Sequence, residues 1–142
     1  RAATMSGVLP TDKCKEEFLK LKDKRAYKFV TFKIDPEKGV VDVCDCVEKT
    51  AEFDFQTLLD KLPADEPRYF VLDWSATTAD DRHIDKIFFV SWVPDTCKAK
   101  TKMLYASSKQ ALRNALDGVQ LDHQATDYDE VTPEEFNERS GV

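Results

Sequence analysis

The sequence predicts an α/β fold: a single central mixed sheet of about five strands, flanked by helices on both faces. Three observations predict it. The chain has 142 residues, 42% of them hydrophobic, with nine Phe and two Trp; that suffices for the core of one domain of ordinary size. Two runs, 69–74 and 86–93, are apolar almost without a break, as in central strands covered on both faces. Amphipathic helical stretches alternate with such runs, which calls for a layered arrangement.

The elements follow in order. Thr11 can cap a first helix reaching about Lys22, with Cys14, Phe18 and Leu21 on one face. Residues 26–35 are rich in aromatic and β-branched side chains and read as a strand. Pro36-Glu37-Lys38-Gly39 is a turn signal, and 40–47 alternates as a second strand, making a hairpin. A short helix is expected over 52–62, with Phe55, Leu58, Leu59 and Leu62 apolar and Pro63 as its stop. The two apolar strands come next, joined by a polar loop over 75–83. After a long basic helix, 119–123 reads as an edge strand. Thr132-Pro133-Glu134-Glu135 carries the cap, proline and acid of a helix start, and the last helix should end near Arg139.

The four cysteines do not make a metal or redox signature. Cys44 and Cys46 would share one face of a strand, Cys14 and Cys97 are isolated, and the two histidines are far apart, so no metal site is expected. Residues near the N-terminus lack the apolar core of a secretory signal, and reduced thiols in the cytosol are expected. No apolar run approaches the ~20 residues needed to span a bilayer. Arg1–Thr4 precede Met5 and read as a vector-derived remnant, which places the domain at 5–142.

No enzyme motif emerges: there is no nucleophile elbow, no phosphate-binding GK[ST], and no G-x-G-x-x-G among only four glycines. The paired acids Asp80-Asp81 and Glu134-Glu135 read as loop charge and helix-start charge. A binding protein without a cofactor is the expected class.

The charge pattern is the strongest functional signal. Between Asp95 and Asp117 there is no acid, while Lys98, Lys100, Lys102, Lys109 and Arg113 supply five positive charges. The whole chain carries −6, which leaves −11 outside that window. At about 100° per residue, Lys102, Ala106, Lys109 and Arg113 form one stripe, opposite Leu104, Ser108, Ala111, Leu112 and Ala115. Met103 borders the stripe as an adaptable apolar contact. A solvated surface helix would show the same pattern, but a concentrated basic face also suits an anionic partner. Nucleic acid is disfavoured, because phosphate binding needs a broad positive footprint and the pI is near 5.0. Anionic phosphoinositide membranes remain a secondary ligand for Lys100, Lys102, Lys109 and Arg113.

The same segment, PDT followed by K-x-K-x-KM and L-Y-A-S-S-K-x-A-L, closely resembles the actin-depolymerising factor (ADF)/cofilin family. Met5-Ser6-Gly7-Val8, Tyr27-Lys28-Phe29, Leu62-Pro63, Arg68-Tyr69, Lys86 to Trp92, Leu116 to Val119 and Thr126-Asp127-Tyr128 continue the match from about Met5 to Arg139. The resemblance implies an ADF-homology (cofilin-like) domain. It would act as a monomer that binds G-actin and F-actin and promotes filament depolymerisation, severing and turnover in the cytoplasmic cytoskeleton, with a nuclear pool left open.

Carried over by position, the actin-monomer site would comprise Ser6, Gly7, Lys100, Lys102, Met103, Lys109 and Arg113. Ser6 would be the inhibitory phosphorylation site. The filament site would comprise Arg82, Lys86, Glu138 and Arg139. Here the match is partial. Lys86 fills one basic position, Ile84 stands at the other, and many relatives continue past Val142 with another basic residue. Arg82 and His83 are the nearby candidates to compensate for Ile84. Monomer binding is therefore expected to exceed filament binding. Coactosin-like and glia-maturation-factor-like proteins share the implied fold and stand as the alternative, with a phosphoinositide-binding module as the rival from another class.

Overall fold

A computed structural model describes residues 8–142. The predicted roles of Ser6 and Gly7, and the readings of Arg1–Thr4 and of Met5 as the domain's first residue, lie outside the described residues. Six strands form one sheet: β1 (Leu9–Pro10), β2 (Tyr27–Asp35), β3 (Val40–Glu48), β4 (Arg68–Thr77), β5 (His83–Trp92) and β6 (Leu121–Ala125). Their spatial order is β1-β3-β2-β4-β5-β6. The four inner strands pair antiparallel, while β1 and β6 add parallel edges to β3 and β5. Four helices complete the fold: α1 (Asp12–Lys22), α2 (Phe55–Asp60), α3 (Ala99–Ala115) and α4 (Pro133–Ser140), with a 3₁₀ turn at Tyr128–Glu130. No described helix is long and apolar enough to cross a membrane.

Strand alternation sorts the core into two layers. On one face, Val30, Phe32, Val71 and Phe89 of the sheet meet Cys14, Phe18 and Leu21 of α1 and Tyr105 and Leu112 of α3. On the other, Phe29, Phe70, Leu72, Phe88 and Val90 meet Leu58 of α2 and Phe136 of α4. Complete burial of a side chain such as Phe136 stabilises the fold by about 2–3 kcal/mol. Its ring stands edge-on to Phe88 at 4.9 Å.

Several elements depart from the sequence reading for local reasons. The expected sheet of about five strands gains β1, a two-residue strand too short to leave a periodic trace. Thr11 stands at the N-cap of α1, but its hydroxyl donates to Asp42 Oδ1 at 2.9 Å instead of capping the helix. α2 starts at Phe55 because Asp54 accepts a hydrogen bond from the Gln56 amide, a stronger cap than anything upstream. The polar loop expected over 75–83 shrinks to 78–82, because Ser75, Ala76 and Thr77 pair with Asp85, Ile84 and His83.

Two β-bulges in the β2–β3 ladder interrupt the period of two. One inserts Lys28, so that Lys28 and Phe29 both approach the α4-side core. The other leaves Cys44 without a partner, so Cys44 is exposed while Cys46 packs against the α1-side core. The expected shared face for these two cysteines is lost there.

Glu17 of α1 is buried at 3% exposure yet charged. It accepts a hydrogen bond from Tyr27 Oη at 2.7 Å and one from Lys20 Nζ at 3.1 Å. The Tyr27 bond, with help from Lys20 and Lys13, holds its carboxyl below the usual range despite burial. The same bond pushes the Tyr27 phenol up to about 12. A carboxyl depressed in the folded state stabilises above its unfolded pKa, and that contribution is lost as pH falls through the folded value. Glu17→Gln should therefore flatten the loss of stability below about pH 4.3, as measured by urea unfolding between pH 3 and pH 7.

Candidate partner-binding surfaces

The long helix is set by the turn before it. Cys97 N donates to Pro94 O at 3.1 Å, and Thr96 Oγ1 donates to Ala64 O at 3.0 Å. Lys98 then takes an extended N-cap conformation without a side-chain cap, and the first turn contains no acid. Lys98, Lys100 and Lys102 thus add to the positive end of the helix dipole, opposite to the usual stabilising arrangement. This end of α3 concentrates positive potential that no ion pair among the described residues neutralises.

Tyr105, Ser108 and Leu112 turn α3 onto the sheet. Tyr105 Oη accepts the Ile34 amide at 2.9 Å, and Tyr69 Oη donates to Tyr105 O. Ser108 Oγ donates back to Leu104 O at 2.7 Å and accepts the Val8 amide at 3.2 Å. The chain immediately after Ser6-Gly7 is therefore fastened to α3, beside the predicted monomer-binding residues.

The outermost ridge of the helix differs from the predicted stripe. Met103, at 71% exposure, stands with Ala106, Ser107 and Gln110 farthest into solvent. Lys102, Lys109 and Arg113 are half-buried and lean toward β6. Long cationic side chains lie along apolar surface whenever a polar target is within reach, and Arg113 has one: its Nε donates to Asp122 Oδ1 at 2.9 Å. Among the described residues the predicted cluster therefore offers Lys100, Lys102 and Lys109 as cations without an ion-pair partner on α3, with Arg113 charge-compensated by Asp122. Leu9, also 71% exposed, lies on β1 next to α3. It adds an apolar contact that sequence reading missed, and its only signal was an apolar residue just before Pro10.

The second set of predicted residues lies on the opposite layer. Lys86 and Ile84 alternate in phase with Phe88, hence on the α4 face. Trp74, the register partner of Lys86, donates from Nε1 to Asn137 Oδ1 of α4 at 2.9 Å. Glu138 and Arg139 are exposed on that helix, and Arg139 also pairs with Glu135 at 3.1 Å. Thr132 Oγ1 caps α4 by accepting the Glu135 amide, as the sequence predicts. Arg82 sits at the β4–β5 hairpin tip and pairs with Asp80 at 3.3 Å. His83 is in phase with Asp85, to which it pairs at 3.0 Å. It therefore faces away from Ile84, and neither neighbour freely replaces the missing basic residue.

Asp80 and Glu135 of the two acid pairs, and His123, make contacts within the fold. Asp80 accepts from Thr78 Oγ1, Glu135 donates its amide to the α4 cap, and His123 Nε2 lies 2.7 Å from Glu130 O.

The sequence model of the cofilin/tropomyosin-type actin-binding proteins matches residues 7–141. Actin-depolymerizing factor 7 of Oryza sativa subsp. japonica is 42% identical over 132 residues, covering 92% of each chain. Actin-depolymerizing factor 10 of Arabidopsis thaliana is 44% identical over 133 residues, again covering 92% of each. Among solved structures, Streptomyces griseoflavus cofilin superposes with a TM-score of 0.85 at 36% identity, covering 95% of this chain and 98% of that one. With sequence and fold in agreement over nearly its whole length, the chain belongs to the cofilin/tropomyosin-type actin-binding family.

Proposed function

We propose that this protein binds actin monomers and filaments and promotes filament depolymerisation and severing, working at the cytoplasmic cytoskeleton. The observation that carries this reading is α3: an exposed apolar ridge at Met103 beside uncompensated lysines at the positive end of the helix. Such a surface suits an acidic protein face with an apolar cleft. The relatives named actin-depolymerizing factors support the same partner. The mechanism is thermodynamic, with no bond made or broken. Only a difference in affinity between filament states can shift filaments toward disassembly. Fluorescence titration of labelled actin monomers, with sedimentation of filaments, tests the reading. Absence of binding in both assays would overturn it.

Monomer binding is the stronger activity in this reading, because the α4-side surface carries Lys86 with Ile84 beside it and an Arg82 already paired. Lys86→Ala is expected to lower filament affinity about threefold, the scale of an exposed charge contact, with monomer affinity unchanged. Equal losses in both assays would contradict the division of surfaces. Phosphorylation of Ser6, two residues before the Val8 amide that is bonded to α3, would add about −1.5 to −2 charges unfavourable to an acidic partner. Ser6→Asp should weaken monomer binding, and a variant binding as tightly as the parent would remove Ser6 from the site.

A further inference from the structure

Leu62-Pro63, Trp92, the Thr96 of PDT and Tyr128 lie far apart in the sequence, and the fold brings them to one place. Residues 62–65 run between α2 and β4, outside any helix or strand. Pro63 and Pro67 restrict the backbone there. Carbonyls of a segment packed on the body of a protein need partners, and here each of four in a row accepts from a side chain of a later element. Tyr128 Oη donates to Leu62 O at 2.6 Å, and Trp92 Nε1 to Pro63 O at 2.8 Å. Thr96 Oγ1 donates to Ala64 O at 3.0 Å, and Cys97 Sγ to Asp65 O at 3.6 Å. The segment is a strap, and three of its four donors flank Pro94 in the turn from β5 into α3. Trp92 is fully buried and packs on the Tyr128 ring at 4.8 Å, so one side of that turn is fixed by the core.

The other side is the start of α3, which needs an anchor from outside the helix. Lys98 supplies no side-chain cap, and the first turn has lysine but no acid at the positive end of the dipole. Both features favour fraying. Thr96 and Cys97 are the last two residues before the N-cap, so their bonds to the strap hold the chain as it enters the first turn. A thiol is the weaker donor, which leaves Thr96 as the principal tie. We propose that Thr96 is a positioning residue for partner binding: tied to the 62–65 strap, it keeps the first turn of α3 formed and presents Lys100 and Lys102 in one geometry. This rests on the actin reading of those two lysines. The Thr96 hydroxyl is engaged within the fold, so it acts through the lysines and not by contact. A first turn formed only about one-fifth of the time would lower the apparent affinity about fivefold.

The test pairs amide hydrogen exchange of the free protein with fluorescence titration of labelled actin monomers. Thr96→Val keeps the shape and removes the donor. Its Lys102 amide, bonded to Lys98 O at 3.0 Å in the parent, should exchange about fivefold faster, and monomer affinity should fall about fivefold. Thr96→Ser restores the hydroxyl and should return both to within about twofold of the parent. Asp35→Ala removes the bonds to the Glu37 and Lys38 amides in the β2–β3 turn. It should leave both readings within about twofold, whatever it does to the melting temperature. Adding Lys100→Ala/Lys102→Ala to Thr96→Val should cost less affinity than adding it to the parent, because the changes act through the same contact. Full additivity, or a loss that Thr96→Ser does not rescue, would overturn the positioning role. So would unchanged exchange or unchanged affinity in Thr96→Val, and the actin reading would then stand wherever the lysine pair still lowers binding. A parent that binds no actin would overturn both.

Discussion

Asp73→Ala is expected to lower the unfolding free energy by about 3 kcal/mol, the low end of the cost of breaking a buried ion pair. The Asp73 side chain is 2% exposed and meets Arg25 Nε at 2.8 Å and Lys49 Nζ at 2.7 Å. A third cation, Lys28, is 8% exposed, with Nζ 5.1 Å from the Phe53 ring centroid and 5.3 Å from that of Trp74. Burial pushes the Lys28 ammonium below its usual range, and Asp73 is the main influence opposing that. Removing the carboxylate leaves three cations around a desolvated position. It also frees Arg25, held in the left-handed region at φ 54. The expectation sits at the low end because Arg25 and Lys49 keep 44% and 29% exposure and can rehydrate. Urea unfolding at pH 7 checks it: the midpoint should fall with an unchanged slope. Lys49→Ala should cost only about 1 kcal/mol. A loss that small for Asp73→Ala would mean the cluster is held by its packing alone.

Lys100→Ala/Lys102→Ala should weaken actin-monomer binding at least tenfold, or about 1.4 kcal/mol. Neither lysine has a carboxylate partner among the described residues, so the loss falls on the partner interface. Their position at an uncapped helix start, without an acid in the first turn, gives them a long reach in low salt. The loss should appear chiefly in the association rate and shrink as salt is raised. Met103→Ala, by contrast, removes desolvated contact area and should act on dissociation. Arg113→Ala should cost less binding than either lysine, because its charge is already compensated by Asp122. A tenfold loss at Arg113 with little at Lys102 would invert the proposed site.

Much of this molecule is written in local signals. The continuous apolar runs became β4 and β5, the Thr132-Pro133 signal became the α4 cap, and the basic helix kept its packing face while its outermost ridge moved to Met103, Ser107 and Gln110. What escaped depends on neighbours remote in sequence. A bulge at Lys28 or Cys44 has no periodic signature, since it is defined by the strand across from it. The Thr11 hydroxyl went to Asp42, a carboxylate 31 residues away that only the folded sheet brings to it. The candidate site shows the same split. The lysines and Met103 were visible as a pattern, but the Asp122 partner and the Leu9 contact arise only when β6 and β1 close the two edges of the sheet.

The two helical layers face opposite sides of one sheet, α1 and α3 on one, α2 and α4 on the other. A molecule with one contact surface on each side behaves as a bivalent ligand. Under the proposed division of surfaces, docking of the α3 side would bring the α4 side to an adjoining subunit at an effective concentration set by geometry, not by the amount of free protein. A contact too weak to measure alone can then decide residence on a filament. The rigid sheet between the layers acts as the spacer, so its thickness would tolerate one subunit spacing and strain another.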